Sequence, residues 1–360
     1  MLTRILIALL ALALAAAGGA WGYAAWSQVP TAAPAAAAAV AKPAEPSDGV
    51  HFTYAYIPPK NPALMAPYER ARRQDLLRQL PEIKAIDGMF LLPRPLRYVT
   101  AECQSVDAFY APATGEVVLC YETMQVLLNQ AETVAEASKL GPDFPQQYLM
   151  ANLRFILLHE TGHALIDLFD LPITGREEDA VDQLATTLMQ KFSSVEETPH
   201  QVSENLRMAG NWLLARAQGQ YHVDAYADEH ALGEQRYFNL QCLIYGSNPA
   251  RFLSVVTEGD LPEARARRCP QEWERVNRSW LRLLLPHAAP KYRMTEEQAR
   301  RFFEQKEKAR LTHAPAPYLS AGSSATTPAA DSPDAGEVAA PDVPASSAAA
   351  APAETPAQSP

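Results

Sequence analysis

Cysteine and basic charge are both scarce in this chain, and each shortage narrows what it can be. Four cysteines stand in 360 residues, at 103, 120, 242 and 269, and no two are spaced as C-x-x-C. Thiolate metal knots of the ribbon or finger kind are therefore set aside. Lys and Arg number 31 against 41 Asp and Glu, a formal net charge of −10. So acidic a chain offers no broad positive surface, which excludes nucleic acid as the expected partner. No internal repeat is found.

The two ends of the chain carry low-complexity sequence. Arg4 supplies one positive charge, Ile5 to Ala17 run unbroken and apolar, and Gly18, Gly19 and Ala20 follow. That is the pattern of a secretory signal. The apolar stretch continues to Trp26, about 22 residues and long enough to span a bilayer. Residues 1–26 thus read as a signal peptide or as an uncleaved inner-membrane anchor, and the cysteine-free surroundings argue against a lipoprotein. In both cases the bulk of the chain is expected outside the cytoplasm, periplasmic or secreted. Residues 27–48 form an Ala/Pro-rich linker. Residues 314–360 are Ala, Pro and Ser with five acids (Asp331, Asp334, Glu337, Asp342, Glu354) and neither Lys nor Arg. Such a segment buries no core and is expected to be disordered. The remaining residues, 49–313, suffice for one large domain. An even number of cysteines in an exported chain points to disulfides, and of three connectivities the local one, Cys103–Cys120 with Cys242–Cys269, is expected.

The most informative segment is His159-Glu160-Thr161-Gly162-His163. On a helix, positions i and i+4 lie one above the other, close enough for two imidazoles to share an ion. Two neutral imidazoles at that spacing suit a tetrahedral zinc, and the intervening glutamate can act as general base on a zinc-bound water. Leu153, Phe155, Ile156, Leu157 and Leu158 lead into the motif; Ala164, Leu165, Ile166, Leu168 and Phe169 leave it. A helix apolar on nearly every face is a buried helix, and buried histidines need partners. Gly162 costs helix propensity, about 1 kcal/mol against Ala, and leaves room for a substrate or a neighbouring backbone.

A catalytic zinc takes a third protein ligand and keeps one open position. Downstream, Thr174-Gly175-Arg176-Glu177 matches a capping box with Thr174 as N-cap. Glu178 and Asp182 then share one face of the next helix. A helix–turn–helix folding that face onto the histidines makes Glu178 the third ligand, with Asp179 as its rival, and Asp182 an acceptor that fixes the tautomer of His159. The plainer reading of these acids is an acidic first turn complementing the helix dipole; four acids in six residues exceed that need.

H-E-x-x-H followed by E-x-x-x-D resembles the gluzincin metallopeptidases. The resemblance implies His159, His163 and Glu178 as zinc ligands, Glu160 as base and Asp182 as supporting acid, although the gap between His163 and Glu178 is shorter than in thermolysin. A closer resemblance is to a bacterial metallopeptidase family without assigned function, over roughly residues 50 to 287. It is carried by Glu102-Cys103, Ala108-Phe109-Tyr110, Cys120-Tyr121-Glu122, HETGHALIDLFDLPITGREEDAVDQLA and DEHALGEQRYFNLQCLIYGSNP. It implies a peptide or protein substrate.

The element order predicted is α+β: a mainly helical, zincin-like domain with a small N-terminal sheet, the H-E-x-x-H helix and a helical C-terminal part. Strands are expected at Leu96–Thr100, Val106–Tyr110 and Glu116–Tyr121, with the last one binding extended substrate by β-augmentation. Helices are expected at about 122–140, 203–218, 229–245, 250–257, 270–285 and 295–310. Asp228 reads as a helix cap with His230 in the first turn. Alongside the resemblance, His230 and Tyr237, seven residues apart on one face, become candidate donors to a developing oxyanion. Two functional classes follow. One is an exported zinc peptidase using Glu160, His230 and Tyr237. The other is a non-catalytic scaffold of the cell envelope that retains a structural metal, which requires a fourth ligand and leaves Glu160 without a use.

Overall fold

A parallel strand pair needs a crossover, and the N-terminal part of the chain is built around one. β1 (Thr53–Tyr56) is followed by three short helices, α1 (Met65–Arg73), α2 (Leu76–Gln79) and α3 (Pro81–Ile86), before β2 (Arg97–Ala101) runs parallel beside β1. β3 (Ala108–Ala111) and β4 (Glu116–Cys120) form an antiparallel hairpin whose turn closes through Thr114 and Gly115 N–H to the Ala111 carbonyl. Gly115 has φ +68°, which a side chain would strain. β4 pairs with β2 in parallel, giving the order β1-β2-β4-β3. The computed structural model describes residues 49–217 and 223–311. The expected signal or anchor, the linker and the tail lie outside the described residues. Among the described residues no helix is long and apolar enough to cross a membrane.

The rest is helical. α4 (Tyr121–Ala137) starts directly from β4, and α5 (Phe144–Phe169) carries the H-E-x-x-H segment. Then come α6 (Glu177–Phe192), α7 (Pro199–Arg216), α8 (Val223–Ala227) and α9 (Gly233–Ser247). α10 (Ser254–Thr257), α11 (Glu263–Ala266), α12 (Cys269–Leu284) and α13 (Glu296–Arg310) complete the order. The fold is the expected mainly helical α+β arrangement with a small N-terminal sheet. Thr198 with Gln201 and Thr295 with Gln298 form capping boxes that start α7 and α13. The span expected as a helix at 250–257 is helical only from Ser254.

α5 is packed on all sides, against β3 and β4, α4, α6 and α7. Leu153, Phe155, Leu157, Leu158, Ala164 and Leu165 are buried. Each large apolar side chain so buried contributes about 1.5–3 kcal/mol, which is why a helix with no polar face is stable here. Both local disulfides form, Cys103–Cys120 and Cys242–Cys269. The first ties the loop after β2 to the end of β4; the second ties α9 to the start of α12.

One sheet expectation is corrected. β4 is paired on both sides, by β2 and by β3, so it has no free edge for a substrate strand. The edge near α5 belongs to β3. Strand order is a tertiary outcome, and hairpin spacing alone does not tell which arm lies outside.

α5 also buries a charge. Arg154 sits between Glu82 of α3 and Glu197, all three almost wholly inaccessible; its Nε donates to Glu82 Oε2 at 3.0 Å and its Nη1 to Glu197 Oε1 at 2.6 Å. Removing one member of such a set strands the others, at about 3–5 kcal/mol. Arg154→Met is expected to lower unfolding stability by that order in urea titrations. Adding Glu82→Leu should recover part of the loss, whereas an additive double variant would show that the two residues are not coupled.

Candidate functional site

Three segments converge on one carboxylate. α5 presents His159, Glu160 and His163 on adjacent turns. Asp170, left-handed at φ 50°, ends that helix, and its Asp side chain tolerates the conformation better than most. Residues 171–176 then return the chain so that α6 lies along α5 and brings Glu178 over the histidines. Glu178 Oε2 is 3.0 Å from His159 Nε2, and Oε1 is 3.2 Å from His163 Nε2. The third contributor is His230, from the segment before α9, with Nε2 2.9 Å from Glu178 Oε2. The rings of His159 and His230 are close to parallel, 6.2 Å apart.

The opposite nitrogen of each imidazole meets a further acid. His159 Nδ1 is 2.8 Å from Asp182 Oδ1, His163 Nδ1 is 2.7 Å from Glu177 Oε1, and His230 Nδ1 is 3.0 Å from Asp228 Oδ1. Arg236 of α9 in turn donates twice to Asp182, from Nε at 2.7 Å and Nη2 at 2.8 Å. Such outer acceptors orient rings and select the tautomer that leaves Nε2 facing inward. Arg176 adds a tether from its Nη1 to the His230 carbonyl at 3.3 Å.

These placements revise several sequence expectations. Glu177 does not close a capping box: α6 begins after Arg176 with no side-chain cap, and Glu177 serves His163 instead. His230 is not in a first helical turn, because α9 starts at Gly233; Asp228 accepts from the His230 backbone N–H at 2.8 Å within the preceding loop. Tyr237 is not brought to the cluster, and its hydroxyl donates to Asp260 Oδ1 at 2.8 Å. Asp179, the rival to Glu178, is not among the side chains that converge; it lines a small recess with Asp182 and Asn239. Arg236 escaped notice in the sequence, and its only signal was a cation on a helix next to the DEH segment. The space beside Gly162 is taken by Val181 of α6, whose Cγ1 would lie 2.7 Å from an added Cβ. That glycine is a helix-contact residue.

Electrostatics follow from burial and these contacts. Burial alone would raise Glu178, but the three imidazoles outweigh it and hold the carboxyl far below the usual range. Burial opposes charge on His159 as well, yet Asp182 and Glu178 carry it up to about 9. Burial likewise raises Asp182, and Arg236 and His159 reverse this to bring it to about 2. Glu160 is different: burial pushes it up, and its histidine neighbours only partly offset that.

The donor set fits a divalent metal. His159, Glu178 and His230 each bring one ligand atom within 4.8 Å of the others, with His163 completing the other side of the carboxylate. Glu178 Oε2 is buried and lacks a hydrogen bond of ordinary geometry despite two imidazole nitrogens near 3 Å. Nitrogens and a carboxylate oxygen turned toward one point, without hydrogen-bond alignment, are what a shared cation requires. The cluster Cys103, Cys120 and Glu122 also groups donor atoms, but its sulfurs are spent in the disulfide.

Beside the cluster a cleft of about 410 Å³ opens, lined by Phe155, Ile156, Trp212 and Leu232 together with His159 and His230. Imidazoles and a carboxylate around one point, a further carboxylate alongside and an adjacent cleft are the layout of a metal-dependent hydrolase. The chain belongs to the family described as "Putative metallopeptidase", whose model matches residues 56–284. Membership supports a general peptidase role, a metal ion and peptide or protein substrates. No curated protein and no solved structure matches the chain.

Two outcomes are expected. Gly162→Ala should cost about 1–3 kcal/mol through overpacking, despite the better helix propensity of Ala, and should weaken metal uptake by displacing α6. Val181→Ala should restore only part, because Val181 Cβ itself lies 2.8 Å from the added atom; thermal unfolding and zinc titration read both. Metal binding needs a neutral imidazole, whereas metal-free His159 keeps its proton to about pH 9. Zinc uptake at pH 7.5 should therefore release protons, and apparent affinity should rise about tenfold per pH unit per proton toward pH 9. Calorimetry in buffers of different ionisation enthalpy counts them; no release would contradict the charge state.

Proposed function

We propose that the protein is an exported, zinc-dependent, gluzincin-like metallopeptidase. The observation that carries this reading is the largely shielded Glu178 carboxylate shared by imidazoles from α5 and the His230 loop, with Glu160 beside it. His159, His163 and Glu178 hold the metal. Zinc supplies Lewis-acid polarisation and acidifies water when bound. Glu160 takes the proton of the attacking water and passes it to the leaving amine, a task helped by a carboxyl raised above its ordinary range. Asp182 and Glu177 keep Nε2 of His159 and His163 directed at the site. His230, more accessible than His159, is the donor to the oxyanion that develops on the scissile carbonyl. Tyr237 takes no part, because its hydroxyl is committed to Asp260.

Extended substrate would lie along β3 rather than β4. In this hairpin Cys120 N–H bonds the Asp107 carbonyl, so by alternation Ala108 and Tyr110 turn their backbone groups to the open edge. Export is supported by the two disulfides, which persist in oxidising compartments, together with the apolar N-terminal sequence; an inner-membrane tether through residues 1–26 belongs to this proposal.

One observation favours a second reading. His230 Nε2 stands as near Glu178 as the α5 histidines do, so a closed four-ligand site would suit a scaffold. The deciding experiment is digestion of a mixed peptide library by wild type, Glu160→Gln and His230→Ala, with zinc content measured on each. The peptidase reading expects cleavage by wild type only, Glu160→Gln holding one zinc yet slower by at least about a hundredfold, and His230→Ala keeping its zinc. Loss of zinc from His230→Ala with no cleavage by wild type would establish the scaffold.

A further inference from the structure

β3 is held to α5 by contacts that none of the preceding roles uses. Tyr110 reaches two points on α5 seven residues apart. Its hydroxyl donates to Asp167 Oδ2 at 2.7 Å, and its backbone N–H, on the open edge of the sheet, lies near enough to the Glu160 carboxyl to favour its charged form slightly. Arg94, from the segment before β2, closes the arrangement. Its Nη2 donates to the Tyr110 hydroxyl at 3.0 Å and pairs with Asp167, and its Nη1 donates to the Pro112 carbonyl at 2.8 Å in the hairpin turn. Gly115 keeps that turn open: an added Cβ would stand 3.0 Å from Arg94 Nη1. A second tie, Tyr98 hydroxyl with Thr161 Oγ1 at 2.8 Å, fixes the next residue of α5 to β2.

We propose that Arg94, Tyr110 and Asp167 form a positioning staple that sets the edge of β3 against α5 and thereby the orientation of the Glu160 carboxylate. This rests on the peptidase reading for its consequence and on geometry alone for its existence. Arg94 and Asp167 are each about two-fifths exposed, and an isolated pair at that exposure contributes little to stability. Two charged groups converging on one hydroxyl do something else: they restrict where the strand lies. None of the three touches the metal donors, so these are positioning residues. A carboxylate displaced by a fraction of an ångström from the attacking water loses rate without losing substrate.

The test uses the full chain and two readouts. Tyr110→Phe removes one oxygen, and Asp167→Ala removes the acceptor while leaving the backbone unaltered. Backbone amide exchange at position 110 should quicken about tenfold or more in both, with zinc content unchanged. On a peptide cut by wild type, kcat should fall about tenfold with KM within twofold. Asp167→Asn, which still accepts from the tyrosine, should restore most of both, and the double variant Tyr110→Phe/Asp167→Ala should be no worse than either single one. Arg97→Gln, breaking the exposed Arg97–Glu116 pair of the same sheet, serves as control and should change neither readout. Unchanged exchange at position 110 overturns the staple; faster exchange with unchanged kcat overturns its bearing on Glu160. If wild type cuts nothing, the peptidase reading fails by itself, and exchange still decides whether the staple holds the strand.

Discussion

The Glu178 carboxylate is the point on which the site depends. A carboxylate taken from water is costly unless it is paired on all sides, and Glu178 is paired by imidazoles from two separate parts of the chain. Moving outward, charge alternates. The three histidines face Glu178 on one side and Asp182, Glu177 and Asp228 on the other, and Arg236 backs Asp182. Counting Glu160, five acids surround the histidines, and of the two guanidiniums nearby Arg236 pairs with Asp182 while Arg176 donates to the His230 carbonyl. Without a cation, the imbalance is met by protons on the imidazoles, which is why His159 is carried up to about 9. A divalent ion would meet it with the imidazoles neutral. The same acids would therefore serve both states.

That arrangement constrains the packing around it. Glu178 reaches His159 and His163 only if α6 approaches α5 closely, and the approach is possible because residue 162 has no side chain to meet Val181. Asp182 must meet both His159 and Arg236, which ties α9 to α6 and keeps the His230 loop beside His159. The sheet does the equivalent work from the opposite side through Tyr98 and Tyr110. α5 is thus located by polar contacts at three places although its surface is almost wholly apolar. Apolar packing gives it stability but little register, since one buried leucine substitutes well for another. The register comes from the few groups that hydrogen-bond in one way only.

What could be read from the sequence divides along these lines. His159, Glu160 and His163 were legible because helical periodicity fixes their relation without tertiary knowledge. Periodicity placed Glu178 and Asp182 on one helix face, but their meeting with the histidines rested on an expected helix–turn–helix and on the gluzincin resemblance. The two disulfides were expected because local pairing was favoured. The strands from β2 onward and the order of sheet, backing helix and motif helix followed from alternation and turn residues. β1 and the three short helices after it were missed, since a four-residue strand and four- to nine-residue helices carry little periodicity. His230 was assigned to a helical turn because Asp-Glu-His looks like a cap, whereas Asp228 folds onto the His230 backbone and delays the helix to Gly233. Glu177 looked like a capping partner by spacing, and an imidazole proved the better acceptor-seeking neighbour. The free edge of the sheet, Arg236 and the Arg94 cluster depend on which elements become neighbours, and no local pattern states that.

Glu160 is where the argument for chemistry is strongest on physical grounds. It is 8 % exposed, burial raises it, and none of its neighbours neutralises it as the histidines neutralise Glu178. A site selected only to hold a metal would do better with a glutamine or an apolar residue there, because replacing a poorly compensated buried charge is commonly neutral or stabilising. Gly162, two residues on, admits α6 at the cost of helix propensity, and that cost is returned in packing. His159, His163 and the Tyr110 backbone offset only part of what burial costs Glu160. A carboxylate kept beside the His–Glu cluster at a cost in stability is what the proposed peptidase reading asks of Glu160, a group that takes up and gives back a proton.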